Sequence, residues 1–391
     1  MYIAIEGIKM NTKPNVAIIA DWLITFAGAE KVIAEFIEVF PDANLYAVVD
    51  FLSDADRFYF HEKHAKTTFI QDLPMAKKMY QKYLPLMPFA IEQLDVTHHD
   101  ILLSSSHAVA KGIISGPDQL HISYVHSPIR YAWDLQHQYL QEAGLNKGLK
   151  GLIARYFLHN IRMWDSRTAN GVDYFIANSK FIARRINKVY RRDADVIYPP
   201  VDIERFTFTD NKQEYYFTAS RLVPYKRIDI IIDAFTLMPD KKLVVIGDGP
   251  EMPKLKSKAT KNVELLGYQS NEILVDYMKN AKAFIFAAEE DFGITPVEAM
   301  ACGTPVIAYG KGGALETVIS TGNISPTGDF FYEQTPSAVV DAIRKFEKNR
   351  HIIEPSDCRN NATRFSQQRF QKELSEYVSQ KWLDFCENST R

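Results

Sequence analysis

Two basic side chains and two carboxylates follow short apolar segments in the second half of the sequence. Arg221 and Lys226 are separated by a short loop after one such segment, and Glu290 and Glu298 follow another at 283–286. Arginine offers paired donors to an anion and lysine a point charge, so together they suit a diphosphate that departs with negative charge. Carboxylates accept hydrogen bonds from sugar hydroxyls. Taken singly, each residue is as well explained as a solvated surface charge.

A turn and the start of a helix lie between the two glutamates. Gly293 occupies the turn, where a bare backbone can approach a ligand closely, and Ile294 and Thr295 open the helix. Amides at a helix N-terminus point toward an anion. We therefore expect Gly293, Ile294 and Thr295 to bind a diphosphate or sugar hydroxyls, with Glu290 and Glu298 facing the same pocket.

The first half offers two further candidates. Gly28 joins an apolar strand to a helix, whose N-terminus could approach a phosphate. His126 ends a strand just before Pro128. A lone histidine is more often structural, but at a strand end it can hydrogen-bond a transferred sugar or the reacting oxygens.

Short apolar runs alternate with helical patterns along the whole chain, which predicts mostly parallel sheets wrapped by helices. The pattern stops at Val196–Val201, where two adjacent prolines exclude a helix or central strand, and then restarts. We predict an α/β fold of two Rossmann-like, doubly wound domains facing a cleft, at residues 1–197 and 198–369. The helix at about 370–391 is expected to pack back on the first domain.

The strings RLVPYKRID and EEDFGITPVEAMACGTPVIA, in this order, resemble the signature of glycosyltransferase family 4, retaining enzymes of the GT-B fold. The resemblance implies an acceptor-binding first domain and a nucleotide-sugar-binding second domain. It also implies that Arg221 and Lys226 hold the donor diphosphate, that Glu290 contacts the transferred sugar and that Glu298 contacts the ribose. The amides at 293–295 would complete the phosphate site.

The same resemblance extends to the first half. It implies that His126 is an active-site group, that Gly28 approaches the donor phosphate and that Tyr268 contacts the base. This family usually has two adjacent glycines where the chain has Ala27 and Gly28. The string HSPIRYAWD is similar to bacterial GDP-mannose-dependent mannosyltransferases that build O-antigens. The expected function is transfer of mannose from GDP-mannose to a lipid-linked glycan in lipopolysaccharide biosynthesis.

Retaining transfer without a protein nucleophile is what the resemblance implies: the acceptor attacks from the front face and the departing diphosphate oxygen helps to remove its proton. No metal-ligand cluster stands out in the sequence, because His98, His99 and Asp100 more often form a strand edge or loop. We expect a metal-independent enzyme without a cofactor, its nucleotide-sugar donor being a substrate.

Composition narrows the setting. The net charge of -2 over 391 residues predicts no general attraction to nucleic acid, and three cysteines without metal spacing predict free thiols in a reducing compartment. No signal peptide or transmembrane segment is predicted. The segment from Lys147 to Arg192 contains eleven basic residues and only two acidic ones. The segment Met75–Pro88 suits a basic interfacial helix.

These charges favour a cytoplasmic protein that lies peripherally on the anionic inner-membrane surface, although a solvated basic face is the simpler interpretation. The expected partners are a nucleotide-sugar donor, a lipid-linked oligosaccharide acceptor and other polysaccharide-assembly enzymes. The alternatives are a UDP- or ADP-sugar donor, a nucleotide-sugar epimerase and a non-catalytic glycan-binding protein. A dehydrogenase is disfavoured because GxGxxG with a downstream acid is missing from both halves.

Overall fold

A computed structural model of the chain describes residues 13–389. It contains two compact units: the first comprises the chain up to 177, residues 183–195 and the chain from 373, and the second comprises residues 178–182 and 196–372. The division interleaves more than the predicted ranges because the segment 178–182 belongs to the second unit. Within that unit, Ser179 Oγ donates to the carbonyl of Asp291 at 2.6 Å.

The first unit contains one seven-stranded sheet in the order β3-β2-β1-β4-β5-β6-β7. Its central strands are buried along their whole length, and β1 is a continuous apolar run, as expected for a parallel sheet covered on both faces. The strand pairs from β3 through to β6 are all parallel. The strands are β1 Val16–Ala20, β2 Asn44–Ala47, β3 Lys66–Thr67, β4 Ile101–Ser106, β5 Leu120–Val125, β6 Tyr174–Ala177 and β7 Asp195–Val196.

Helices connect these strands, and the first of them shows why they fold as they do. Val32, Ile33, Phe36 and Ile37 recur at helical spacing and are buried against the sheet. The helices between β1 and β7 along the chain are α1 Gly28–Val39, α2 Asp54–Arg57, α3 Ala76–Met79, α4 Met87–Ile91, α5 Gln136–Glu142, α6 Gly148–Thr168 and α7 Lys180–Tyr190.

The second unit contains a six-stranded sheet in the order β10-β9-β8-β11-β12-β13, and its strand pairs are parallel. The strands are β8 Tyr215–Ala219, β9 Lys242–Ile246, β10 Val263–Gly267, β11 Ala283–Phe286, β12 Val306–Tyr309 and β13 Gly328–Phe331. The helices are α8 Ile228–Thr236, α9 Met252–Lys258, α10 Asn271–Asn280, α11 Ile294–Ala301, α12 Ala314–Thr317, α13 Pro336–Asn349 and α14 Pro355–Thr363, followed by α15 Gln367–Ser389.

Both sheets begin with the doubly wound order 3-2-1-4-5-6, so the predicted pair of Rossmann-like α/β domains is confirmed. In this order the connections reverse direction between the first and fourth strands. The reversal lies between β1 and β4 in one sheet and between β8 and β11 in the other. Ligands of open parallel sheets bind beyond the carboxyl ends of the strands at this position.

The predicted interfacial helix at Met75–Pro88 is wrong as a single element. The segment consists of α3, a 3-10 helix at Tyr80–Leu86 and the start of α4. Pro85 lies inside the 3-10 helix and lacks the amide that a continuous α-helix requires, and Met75 has a left-handed φ of 56°. The lysines of the segment are therefore presented on broken helical turns.

The last part of α15 belongs to the first unit. Leu374 and Val378 are buried there. Tyr377 donates a hydrogen bond to Asp195 Oδ2 at 2.9 Å, and the Lys381 ammonium lies 4.4 Å from the centre of the Tyr174 ring. Within residues 13–389, every helix is too short or too polar to cross a lipid bilayer.

Candidate active site

The loop after β8 carries the two predicted cations. Its backbone is fixed by the neighbouring loop after β9: the Leu222 amide donates to the Asp248 carbonyl at 2.9 Å, and the Glu251 amide donates to the Leu222 carbonyl at 3.1 Å. Lys226 then ends a short 3-10 helix, Pro224–Lys226, in which proline presets the first turn. The loop therefore presents Lys226 from a constrained backbone at the carboxyl end of the sheet.

Lys226 and Glu290 are in direct contact. The Lys226 ammonium donates a hydrogen bond to Glu290 Oε1, and both side chains are less than one fifth exposed. The two residues are 64 positions apart, and they meet because β8 and β11 are adjacent strands. A cation and a carboxylate, each held by the other, thus lie at the point where the strand order reverses.

The backbone of Glu290 is held by two glycines. Its carbonyl accepts the Gly313 amide at 2.8 Å, and Glu290 forms an isolated parallel bridge with Gly312. Gly312 has a φ of 71°, and a Cβ atom there would collide with the Glu290 carbonyl oxygen. Only glycine allows this close approach without strain. The loop after β12 therefore positions the Glu290 side chain.

The N-terminus of α11 lies next along the chain. Gly293 precedes the helix with a left-handed φ of 84° and, being a glycine, supplies no side-chain cap to the first turn. Ile294 and Thr295 are the first two helical residues, and their amides have no acceptor within the helix by geometry. Glu298 lies one turn further and is 9% exposed. This end of α11 has the properties of an anion-binding helix terminus.

Two of the other predicted donor contacts are exposed side chains. Arg221 is exposed and forms no ion pair with another residue in the range 13–389. Tyr268 follows β10, at the edge of the sheet, and is 83% exposed. The structure thus brings Lys226 and Glu290 together, and it leaves Arg221 and Tyr268 as exposed side chains beyond strand ends.

His126 follows β5 in the first unit. Its ring Nε2 lies 2.8 Å from Ser105 Oγ, and its amide donates to the Ser106 carbonyl at 2.9 Å. Burial, with a contribution from the positive charge of His107, lowers the pKa of His126 to about 3. The ring is therefore neutral at physiological pH and suited to hydrogen bonding, while protonation for acid catalysis is disfavoured.

A polar cluster beside His126 was missed by the sequence analysis. Asp21, directly after β1, accepts four consecutive backbone amides, from His107 to Ala110, at 2.5 to 3.0 Å. The His107 Nδ1 atom lies 2.9 Å from Asp21 Oδ2. Burial opposes ionisation of Asp21, but the charge of His107 and these amides outweigh it and lower its pKa to about 2.

The pKa of His107 is shifted in the opposite direction. Burial disfavours its charged form, yet Asp21 outweighs burial and raises the pKa of His107 above its ordinary value. Glu30, in the first turn of α1, is also buried, and burial raises the pKa of its carboxyl group. Their positions in the sequence could have indicated this cluster, because Asp21 and His107 follow β1 and β4, the two strands between which the strand order reverses.

Gly28 is the first residue of α1 and is exposed. The preceding residue, Ala27, supplies no side-chain cap to the helix. Gly28 therefore lies at a helix N-terminus, where the sequence analysis expected a phosphate to approach. Among residues 13–389, no three His, Cys, Asp or Glu side chains are grouped so that they could hold a metal ion.

Two family models match the chain. Residues 26–205 match Glycosyltransferase Family 4, and residues 202–365 match Glycosyl transferases group 1. The two matches follow one another and together extend over both units, and the second contains Lys226, Glu290 and the start of α11.

Curated relatives match over part of their length. An uncharacterized glycosyltransferase of Methanocaldococcus jannaschii is 31% identical over 177 residues, which are 44% of this chain and 50% of that protein. The GDP-mannose-dependent monoacylated alpha-(1-6)-phosphatidylinositol monomannoside mannosyltransferase of Corynebacterium glutamicum is 31% identical over 179 residues, 38% of this chain and 47% of that protein. The chain thus spans about half the length of these relatives.

A solved structure matches over almost the whole chain. HepE of Anabaena, in complex with UDP, superimposes with a TM-score of 0.68 at 18% identity, over 94% of this chain and all of that one. The same protein in complex with UDP-glucose gives a TM-score of 0.65. The chain therefore has the GT-B fold, and its successive segments match the models of Glycosyltransferase Family 4 and Glycosyl transferases group 1.

Proposed function

We propose that the chain is a retaining glycosyltransferase that moves a sugar from a nucleoside diphosphate to an acceptor hydroxyl. The observation that carries this proposal is the contact between Lys226 and Glu290 at the carboxyl edge of the second sheet. The uncapped N-terminus of α11 follows Glu290 within the same connection. A cation, a carboxylate and a helix N-terminus are the groups that a diphosphate joined to a sugar would require.

In the proposed reaction, the bond between the anomeric carbon and the diphosphate oxygen breaks, and a bond from that carbon to the acceptor oxygen forms. The acceptor proton passes to the departing diphosphate oxygen. Lys226 and Arg221 stabilise the charge on the leaving group, which is greatest in the transition state. Glu290 holds Lys226 in place before the donor binds and accepts hydrogen bonds from the sugar.

The preferred donor in this proposal is GDP-mannose. It is supported by the resemblance of the segment around His126 to mannosyltransferases and by the Corynebacterium relative, whose name specifies GDP-mannose. A UDP-sugar is the second candidate, because HepE, which has the same fold, binds UDP and UDP-glucose. Tyr268 is proposed to contact the base, and Glu298 the ribose.

The acceptor is proposed to be a lipid-linked glycan used in O-antigen or a related surface polysaccharide, at the cytoplasmic face of the inner membrane. This part is supported by the basic composition of residues 147–192. His126 is proposed to hydrogen-bond the transferred sugar, and Gly28 to approach the donor phosphate. No metal is required in this proposal, because side-chain cations neutralise the diphosphate, and activity should persist in EDTA.

The test is thermal stabilisation of the full chain by GDP, UDP, ADP and their sugar conjugates, followed by transfer assays with the donor that stabilises it. A ligand at a hundredfold excess over its Kd stabilises the native state by about 2.7 kcal/mol, a shift of a few degrees. Lys226→Ala removes a charge-assisted contact and should weaken binding by roughly 10- to 100-fold. Lys256→Ala, an exposed lysine of α9, is the matched control.

A shift with GDP and GDP-mannose that is lost in Lys226→Ala, together with an unchanged anomeric configuration in the product, supports the full proposal. A selective response to UDP- or ADP-sugars supports glycosyl transfer and removes mannose. Release of free epimerised sugar without an acceptor would identify an epimerase instead. If no nucleotide shifts the midpoint, or if Lys226→Ala responds like Lys256→Ala, the proposed site is wrong.

A further inference from the structure

One face of α6 is apolar and exposed. Six large side chains project from it, and their exposed fractions range from 41% for Phe157 to 72% for Leu149. The first five positions recur at intervals of three and four residues, and Met163 lies seven residues beyond Tyr156, which places all six on one face of the helix. The six are Leu149, Leu152, Ile153, Tyr156, Phe157 and Met163. A contiguous exposed stripe of this kind marks an interaction surface more often than scattered surface leucines do.

The accessible charge on the same helix is positive. Lys147 precedes α6 and Lys150 lies in its first turn; both are exposed and form no ion pair with another residue between 13 and 389. The single acid of α6, Asp165, is fully buried and is paired with Lys111 Nζ at 2.8 Å. Lysines at the edge of an apolar stripe can extend their ammonium groups past it.

A second exposed segment lies beside α6. Leu84 of the 3-10 helix and Leu158 of α6 pack against the same small cluster, which contains Ile161. The segment exposes several large apolar residues and three lysines, with no acid between 75 and 88. These residues are Met75, Leu86 and Phe89, with Lys77, Lys78 and Lys82.

Charge selects one occupant for this surface. A second copy of the chain would place the cations of one α6 against those of the other, with no accessible acid on the helix to pair with them. An anionic bilayer offers both an apolar layer for the stripe and negative head groups for the lysines. Tyrosine and phenylalanine suit the boundary between the two regions.

We propose that the exposed face of α6, together with the neighbouring basic segment 75–89, docks the chain on an anionic lipid surface. The stripe enters the boundary between head groups and acyl chains, and Lys147 and Lys150 remain at the level of the phosphates. This proposal rests on surface residues alone and does not depend on glycosyl transfer.

The test is sedimentation of the full chain with vesicles of phosphatidylcholine, alone or mixed with phosphatidylglycerol. Leu149→Ser with Leu152→Ser tests the stripe, and Lys147→Glu with Lys150→Glu tests the charge. Ile324→Ser, at a 93% exposed position of the second unit, is the control for the apolar change. Lys256→Glu is the control for the charge change.

We expect the wild type and both controls to bind the mixed vesicles and to bind phosphatidylcholine weakly. Each double variant should bind the mixed vesicles at least about tenfold more weakly, since one lysine near the surface contributes roughly fivefold. Unchanged tryptophan fluorescence and an unchanged nucleotide response show that the variants are folded.

The proposal is overturned if the wild type binds neither vesicle, or if the double variants bind as tightly as the controls. It is also overturned if ultracentrifugation without lipid shows a dimer that Leu149→Ser with Leu152→Ser dissociates, because the stripe is then an interface between two copies. Failure of the nucleotide assays alone would leave vesicle binding unaffected, so the two proposals fail separately.

Discussion

Replacement of Asp21 by asparagine would test the polar cluster of the first unit. Asp21 Oδ1 accepts the amides of Val109 and Ala110 at 2.5 and 2.7 Å, and Oδ2 accepts those of His107 and Ala108 at 2.6 and 3.0 Å. Asparagine has nearly the same shape, but one oxygen becomes an NH2 group. Two of the four amides would then face a donor in place of an acceptor.

The magnitude follows from the pKa of Asp21. A fall from 3.8 to about 2 means that folding stabilises the carboxylate relative to the protonated acid by roughly 2 kcal/mol. Leaving a buried donor without an acceptor costs about 1–3 kcal/mol. The two energies cannot simply be added, because the same amide contacts contribute to both. We therefore expect Asp21→Asn to lower the free energy of unfolding by about 3 kcal/mol at pH 6.

The pH dependence has a distinct sign on each side. The pKa of Asp21 is depressed, so its contribution is complete above 3.8 and is lost as the pH falls through about 2. The pKa of His107 is raised, so its contribution is complete below 6.5 and is lost as the pH rises through its higher folded pKa. The free energy of unfolding of the wild type should therefore be greatest between about pH 3.8 and pH 6.5. Asp21→Asn should make it depend less steeply on pH below and above this range.

Tryptophan fluorescence during denaturant unfolding can follow this unit selectively. All four tryptophans belong to the first unit, and the ring of Trp22 lies 4.6 Å edge-on from that of His107. Asp118→Asn, at an exposed position of the same unit, is the control. A loss below about 0.5 kcal/mol in Asp21→Asn, the ordinary range for a surface change, or an unaltered pH profile would refute the reasoning.

Two further changes address backbone and charge. In calorimetry, Gly312→Ala should destabilise the second unit more than Gly293→Ala does, because a Cβ atom at Gly312 would collide with the Glu290 carbonyl oxygen, and it should also weaken donor binding. A Cβ atom at Gly293 has room, so Gly293→Ala should cost only about 1 kcal/mol of left-handed strain. Equal losses of stability in the two variants would contradict this. Lys111→Met should lower the free energy of unfolding by about 3–5 kcal/mol, followed by tryptophan fluorescence, because it leaves Asp165 buried without its cation. Adding Asp165→Leu should recover part of that loss, and a single variant as stable as the wild type would contradict the prediction.

The strands were the part of the fold most accessible from the sequence. β1 and β11, for example, are continuous apolar runs in the sequence, as expected for strands that are buried on both faces of a parallel sheet. The segment 75–88 was less accessible. Its spacing of apolar residues resembles a helix, but the left-handed turn at Met75 and the proline at 85 divide it.

The parts of the site that are formed by neighbouring residues in the sequence could be predicted. The parts that are formed by the pairing of distant strands could not. Gly293 and the start of α11 could be located from adjacent residues. Asp21 and His107 are 86 positions apart, and their contact depends on β4 pairing directly with β1. No local pattern reports that pairing. Lys226 and Glu290 were connected beforehand only through the family resemblance.

The two sheets use the same topological position in opposite ways. After β1, Asp21 fills a ring of four amides with the chain's own carboxylate, so that the first unit's anion site is already occupied. After β8, the corresponding residues are Ser220 and Arg221, which bring no negative charge, and the N-terminus of α11 has no side-chain cap. We therefore expect an external anion to bind chiefly in the second unit, because in the first unit Asp21 already occupies the amides of residues 107–110 and the neutral ring of His126 suits uncharged groups. This difference is the physical reason to assign the donor diphosphate to the second unit in the proposed reaction.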